Sequence, residues 1–176
     1  QAMNREYFEK NLRKDNRNSH LFSEKTTNFH ITDDTLGEGG AKSKFKANVE
    51  AIQMLQKIES ENRYAKPEEQ DVMSKYVGWG GLASAFDEHN DNWSSEYAQL
   101  KELLTDKEYT SARASTLDSF YTSPTIIDGI YSALKQFGFK GGNILDPAMG
   151  VGNFFGRIPE EMQKNSKLHG VEIDSI

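Results

Sequence analysis

The chain has 176 residues, 36% of them hydrophobic, with 21 Lys/Arg against 27 Asp/Glu and no cysteine. That length suits one domain, or one small domain with an appendage, and ten Phe, seven Tyr and two Trp speak against a wholly disordered chain. Lack of cysteine excludes disulfides, thiol catalysis and thiolate-bound zinc, and no run approaches the ~18 apolar residues of a membrane span. With no apolar run of the signal-peptide kind near Met3, a cytoplasmic, non-membrane protein is expected.

Charge is uneven. Residues 1–66 carry 12 Lys/Arg and 10 Asp/Glu, whereas residues 67–176 carry 9 and 17. An acidic second half is a poor grip for a nucleic-acid backbone, which is bound chiefly through Lys and Arg. Two basic clusters stand in the first half: Arg13, Lys14 and Arg17, then Lys42, Lys44 and Lys46. Each reads first as a solvated helix face.

In chain order, residues 4–18 read as a polar helix or arm. Residues 19–41 look irregular and end in Leu36-Gly37-Glu38-Gly39-Gly40, which marks a loop; it is either a connector or a ligand-contacting turn. A helix is expected over about 42–63, because Phe45, Val49, Ile52, Leu55 and Ile58 recur at steps of four and three. Pro67 suits the first turn of the next helix, which runs through Tyr76. It stops at Gly78-Trp79-Gly80-Gly81, where the glycines are expected to let backbone pack closely on the indole. Residues 82–118 read as three helical pieces: one from Leu82 to Phe86, one capped by Ser94 or Ser95, and one opened by the capping-box pair Thr105 and Glu108.

Then the pattern changes. Ser123 and Pro124 open a helix with an apolar face of Ile126, Ile127, Ile130, Tyr131, Leu134 and Phe137, closed by Gly138. Asn143-Ile144-Leu145-Asp146 reads as a short strand ending in an acid. A glycine-bearing turn follows, Pro147-Ala148-Met149-Gly150-Val151-Gly152, and Pro159 starts a small helix. Leu168 to Asp174 reads as a second strand ending in acids. Strand, Gly-rich turn, helical segment, strand and acid make the first βαβ unit of a nucleotide-binding fold. Glu172, 20 residues after Gly152, suits the acid that accepts hydrogen bonds from ribose hydroxyls. The third glycine of the dinucleotide pattern is missing: Phe155 stands there, with Gly156 one residue late. Asp146 at the head of the turn would repel a pyrophosphate but suits a cofactor with a cationic end. S-adenosyl-L-methionine, with a sulfonium and an ammonium, fits that chemistry better than a dinucleotide.

These residues resemble a family. Asp146-Pro147-Ala148-Met149-Gly150-Val151-Gly152-Asn153-Phe154 is similar to motif I of amino-group DNA methyltransferases, Phe120-Tyr121-Thr122-Ser123-Pro124 resembles their motif X, and Glu172 matches the acid of motif II. The order X, I, II is that of the gamma-type N6-adenine enzymes. Upstream, Lys75-Tyr76-Val77-Gly78-Trp79-Gly80-Gly81-Leu82 is similar to phage and conjugative-element proteins that join such a methyltransferase to a SNF2-type helicase. The resemblance implies an α/β architecture: an arm over 1–41, a helical region over 42–119, and the start of a Rossmann-like S-adenosyl-L-methionine-binding domain over 120–176. It also implies site residues. Asp146, Pro147, Gly150 and Gly152 would border the methionine end of the cofactor, and Tyr121, Thr122 and Pro124 would close over it. Glu172 would hold the ribose and Ile173 would lie beside the adenine. Phe154 would pack the turn against the sheet.

One part of the pattern is absent. Adenine methyltransferases receive the target amine on a D/N/S-P-P-Y/F/W motif. The four prolines here are Pro67, Pro124, Pro147 and Pro159, and no two are adjacent. The expectation is therefore an N-terminal part of a longer enzyme, not active alone. DNA, the remainder of the methyltransferase and the helicase would be its partners, with self-association expected because a two-stranded sheet is marginal alone. The competing readings are a helical module that docks DNA or the helicase through Lys42, Lys44 and Lys46, and a different nucleotide-binding fold. His20, His30, His89 and His169 show no metal spacing.

Overall fold

A computed structural model describes residues 28–172. The expected helix over 4–18, the cluster of Arg13, Lys14 and Arg17, and Ile173 lie outside the described residues. The protein is α/β and mostly helical, with one small parallel sheet. Helices α1 (Ala41–Ser60), α2 (Pro67–Ser74), α3 (Ser94–Leu103) and α4 (Asp106–Ala114) precede α5 (Pro124–Gln136). Strand β1 (Asn143–Asp146), short helices α6 (Asn153–Gly156) and α7 (Glu160–Lys164), and β2 (Lys167–Gly170) follow.

Helix α1 buries Phe45, Val49, Ile52 and Ile58 of the expected stripe, leaves Leu55 half-buried, and adds Asn48 and Ala51. It ends at Ser60, three residues short of the sequence reading, because Asn62 takes a left-handed φ of 49° that no helix can carry. Helix α2 starts on Pro67 and stops at Ser74, before Tyr76. Residues Ala83–Phe86 form a 3-10 turn in place of a helix. The expected caps Ser94 and Ser95 fall inside α3, whose first residue is Ser94; the Asn90 side chain instead caps the preceding 3-10 turn through the Asn92 N–H. The Thr105/Glu108 capping box forms as read.

Trp79 is the centre of the first core. It is fully buried, with the rings of Phe86, Phe45 and Tyr76 centred 5.4, 6.2 and 6.2 Å away, edge to face. Asn48 holds the segment in front of it. Its Nδ2 donates to the Gly78 carbonyl at 2.7 Å, and its Oδ1 accepts from the Val77 N–H at 2.8 Å. Lys42 is committed to packing α1 on α3: its ammonium pairs with Glu96 at 2.6 Å and lies 4.1 Å from the Trp93 ring centre. This is a use of the 42–46 cluster that charge counting does not show.

The second core lies where α5 meets the sheet. Ile127, Tyr131, Ile158 and Met162 are buried there, with Leu134, Ile144, Phe154 and Leu168 against them. β1 and β2 are parallel, Asn143 beside Lys167 and Asp146 beside Gly170. Two parts of the sequence reading are corrected here. Ile126, Ile130 and Phe137 are exposed rather than on the buried face of α5, since a two-stranded sheet is too narrow to cover so wide an apolar stripe. β2 ends at Gly170, so Glu172 stands beyond the strand. Among the described residues no helix is long and apolar enough to cross a membrane.

Arg63 closes the entrance to α2. Its guanidinium donates to both oxygens of Glu69 at 2.6 and 2.7 Å, and Glu69 also accepts the Lys66 N–H at 2.9 Å. These bonds, the Arg63 pair first, pull the Glu69 carboxyl down to about 2. A carboxyl depressed on folding stabilises above its unfolded pKa and loses that contribution as pH falls through the folded one. The melting-temperature gap between the native chain and Glu69→Gln should be full above about pH 5 and close between about pH 4.5 and 2. A gap that does not change with pH would show that the ion pair contributes nothing.

Candidate functional site

The site is built on the turn that leaves β1. The Asp146 carbonyl accepts the Val171 N–H at 2.9 Å, and the Met149 N–H donates back to the Val171 carbonyl at 3.0 Å. The turn is thereby sewn to the end of β2. Asp146 Oδ1 accepts the Ala148 N–H at 3.2 Å, bending the chain at Pro147. Gly150 and Gly152 both take left-handed φ, 54° and 82°, and Gly152 stands at the N-cap of α6. The Met149 side chain crosses β2 so closely that a Cβ on Gly170 would lie 2.1 Å from its sulfur.

Two predicted residues converge on Gly150. Glu172 reaches back from beyond β2, and its Oε2 accepts the Gly150 N–H at 2.6 Å. Tyr121 lays its ring on the same glycine: a Cβ built on Gly150 would lie 2.9 Å from Cε1. The opposite edge of that ring faces Gly78, where a Cβ would lie 3.6 Å from Cε2. Thr122 follows half-buried, and Pro124 is buried as the first residue of α5. Ser123 holds the N-cap position, but its side chain makes no capping bond. Phe154 packs between α5 and the sheet, as expected.

Sequence reasoning missed two residues that hold this turn. Tyr131 donates its hydroxyl to the Phe154 carbonyl at 2.8 Å, and burial, then the charge of Asp146, pushes that hydroxyl up to about 12. The sequence marks it only as one member of an apolar stripe. Arg157 is nearly buried. It pairs with Asp128, with Asp34 at 2.8 Å and with the Ile31 carbonyl at 3.3 Å, and the hydrogen bond to Asp128 leads in raising its pKa. The segment it grips also bonds the turn directly. Asn28 Nδ2 donates to the Phe155 carbonyl and the Ile31 N–H to the Gly156 carbonyl, both at 2.7 Å. Gly78, marked in the sequence as a close-packing glycine beside Trp79, also meets Tyr121, a neighbour too distant in sequence for any local signal to show.

Hollows flank the turn. One of about 390 Å³ is lined by Ile31, Ile52, Met73, Tyr76, Val151 and Gly152. The other, about 400 Å³, is lined by Ile130, Tyr131, Leu145, Asp146, Pro147 and Phe154. The arrangement offers two carboxylates, Asp146 and Glu172, on one glycine-bearing turn, with Gly150 covered by Tyr121 and Gly152 left open. That suits a ligand with both a cationic group and vicinal hydroxyls. Among the described residues no group of His, Asp or Glu is placed to hold a metal ion. No family model, no curated protein and no solved structure matches this chain.

The contact of Tyr121 with Gly150 is testable by stability. Gly138 also has a left-handed φ, 84°, but a Cβ there meets nothing within 4 Å. Gly138→Ala should therefore cost only the backbone strain, about 1 kcal/mol in urea unfolding. Gly150→Ala should cost about 2 kcal/mol or more, because the new methyl also displaces the Tyr121 ring. Equal costs would show that the ring yields freely.

Proposed function

We propose that this chain is the N-terminal, cofactor-binding part of an S-adenosyl-L-methionine-dependent DNA adenine-N6 methyltransferase. The observation that carries the reading is the convergence on Gly150. A glycine turn leaves a parallel strand on an acid, the acid after the second strand folds onto it, and the Tyr121 segment closes it from the other side. These are motifs I, II and X of the resemblance, and in this reading β1, α6, α7 and β2 are the first unit of a Rossmann-like fold.

The residues present fit the cofactor. Asp146, half-buried at the strand end, suits the cationic methionine end, and Gly152 leaves room for close approach beside Gly150, which Tyr121 covers. Pro147 sets the bend. Glu172 lies within reach of the same turn to take ribose hydroxyls, and Tyr121 and Thr122, ahead of Pro124, cover the methionine end. Bound there, S-adenosyl-L-methionine supplies an electrophilic methyl group on its sulfonium. The chain's own part is to bind and orient. It has no D/N/S-P-P-Y/F/W motif to receive an amine, so it is proposed not to methylate by itself. DNA, the rest of the methyltransferase and a SNF2-type helicase region are its proposed partners. The exposed Leu145, Ile126 and Ile130 beside the two-stranded sheet support a further protein surface there.

Calorimetric titration with S-adenosyl-L-methionine, beside an Asp146→Ala control, tests the reading. Saturable binding by the native chain, weakened about tenfold or more in the control, is expected, in keeping with loss of a charge-assisted contact. Equal binding by both would remove Asp146 from the site. Tight binding of NAD or ATP instead would replace the cofactor.

A further inference from the structure

We propose that Asn48, on a helix remote in sequence from the glycine turn, is a positioning residue that sets Tyr121 on Gly150 through residues 77–80. The proposal rests on the cofactor reading above for its consequence, but its geometry stands apart from it.

Asn48 is fully buried in the apolar face of α1, where an unpaired amide would be costly. Both ends of its side chain are spent on one peptide segment: the Val77 N–H at 2.8 Å and the Gly78 carbonyl at 2.7 Å. A neighbouring stretch of that segment fixes the approach to Tyr121. The Gly80 N–H donates to the Ser119 carbonyl at 3.0 Å, and the Gly81 N–H to the Thr116 carbonyl at 3.1 Å. Contact is so close that a Cβ on Gly80 would lie 2.4 Å from the Ser119 oxygen and 2.8 Å from the Phe120 ring. Tyr121, two residues on from Ser119, then stands with one ring edge on Gly78 and the other on Gly150. Tyr76 backs the same ring at a centroid distance of 6.1 Å. Asn48 therefore fixes Gly78, Gly78 and Gly80 fix Ser119 and the approach to Tyr121, Gly78 also touches the Tyr121 ring, and the ring bears on the turn. An apolar residue at 48 would fill the core as well but leave Val77 and Gly78 without these bonds.

Two readouts separate the proposal from the cofactor reading. In NMR spectra of the isotope-labelled chain without ligand, Asn48→Leu should move the Gly150 resonances toward their positions in Tyr121→Leu, while those of Gly138 stay. Unmoved Gly150 resonances in a folded Asn48→Leu chain would overturn the proposal. If that variant does not fold, Asn48→Ser, which keeps a polar group in the slot, is read the same way. Failure of both to fold would overturn it too, making Asn48 a folding residue only. In titrations with S-adenosyl-L-methionine, Asn48→Leu should weaken binding about tenfold in the native background, and less than about twofold when Tyr121 is already Leu. The same loss in both backgrounds would overturn the positioning role. A native chain that does not bind S-adenosyl-L-methionine, with the resonances moving as expected, would overturn the cofactor consequence and support the coupling.

Discussion

The ring of Tyr121 lies between two glycines, Gly78 and Gly150, and this wedge joins the helical region to the turn after β1. A side chain on Gly150 would press on the ring, and one on Gly78 would press on Ser119, two residues before Tyr121. The wedge needs support on both sides. Asn48 and the packing around Trp79 hold the Gly78 side, while the hydrogen bonds between the turn and Val171 hold the Gly150 side. The helical region is thus part of the wall of the candidate site rather than an attachment to it.

Trp79 shows the physical terms of that support. Its indole is fully buried among Phe45, Tyr76 and Phe86, yet its Nε1–H has no hydrogen-bond partner among the described residues. Burying such a donor costs about 1–3 kcal/mol. The apolar area of the indole offsets it, and the flanking glycines bring the backbone of residues 78–81 against Ser119. On the far side of the turn Arg157 plays the matching part. Its guanidinium gathers Asp34, Asp128 and the Ile31 carbonyl, binding the segment after Asn28 and helix α5 to the turn's own helix.

Acidity in the second half of the chain takes on a specific meaning at this turn. Asp146 and Glu172 come within one loop of each other, and the Gly150 N–H is the donor that draws Glu172 in. The Lys42 part of the basic stretch, meanwhile, pairs at the surface with Glu96 and lies over the Trp93 ring. Charge counted along the sequence reads 42–46 first as a solvated helix face; in the folded chain Lys42 also staples two helices.

Much of the local structure was legible in the residues. The stripe of α1, Pro67 and Pro124 as first helical residues, the Thr105/Glu108 box, and the strand–turn–strand order around Gly150 follow from periodicity and short-range backbone preferences. Those are properties a dozen residues carry by themselves. The left-handed turn before α6 also follows, because Gly150 and Gly152 allow it at little cost. What the tertiary structure alone decided is which distant segments touch. Asn48 on Gly78, Gly80 on Ser119, Tyr121 between two glycines and Arg157 across Asp34 and Asp128 span 29 to 123 residues. It also decided which apolar residues stay outside: Ile126, Ile130 and Phe137 share the pattern of Ile127 and Tyr131, but the sheet covers only the latter pair. Hydrophobic spacing records that a face is apolar; only the width of the partner surface fixes how much of it is buried.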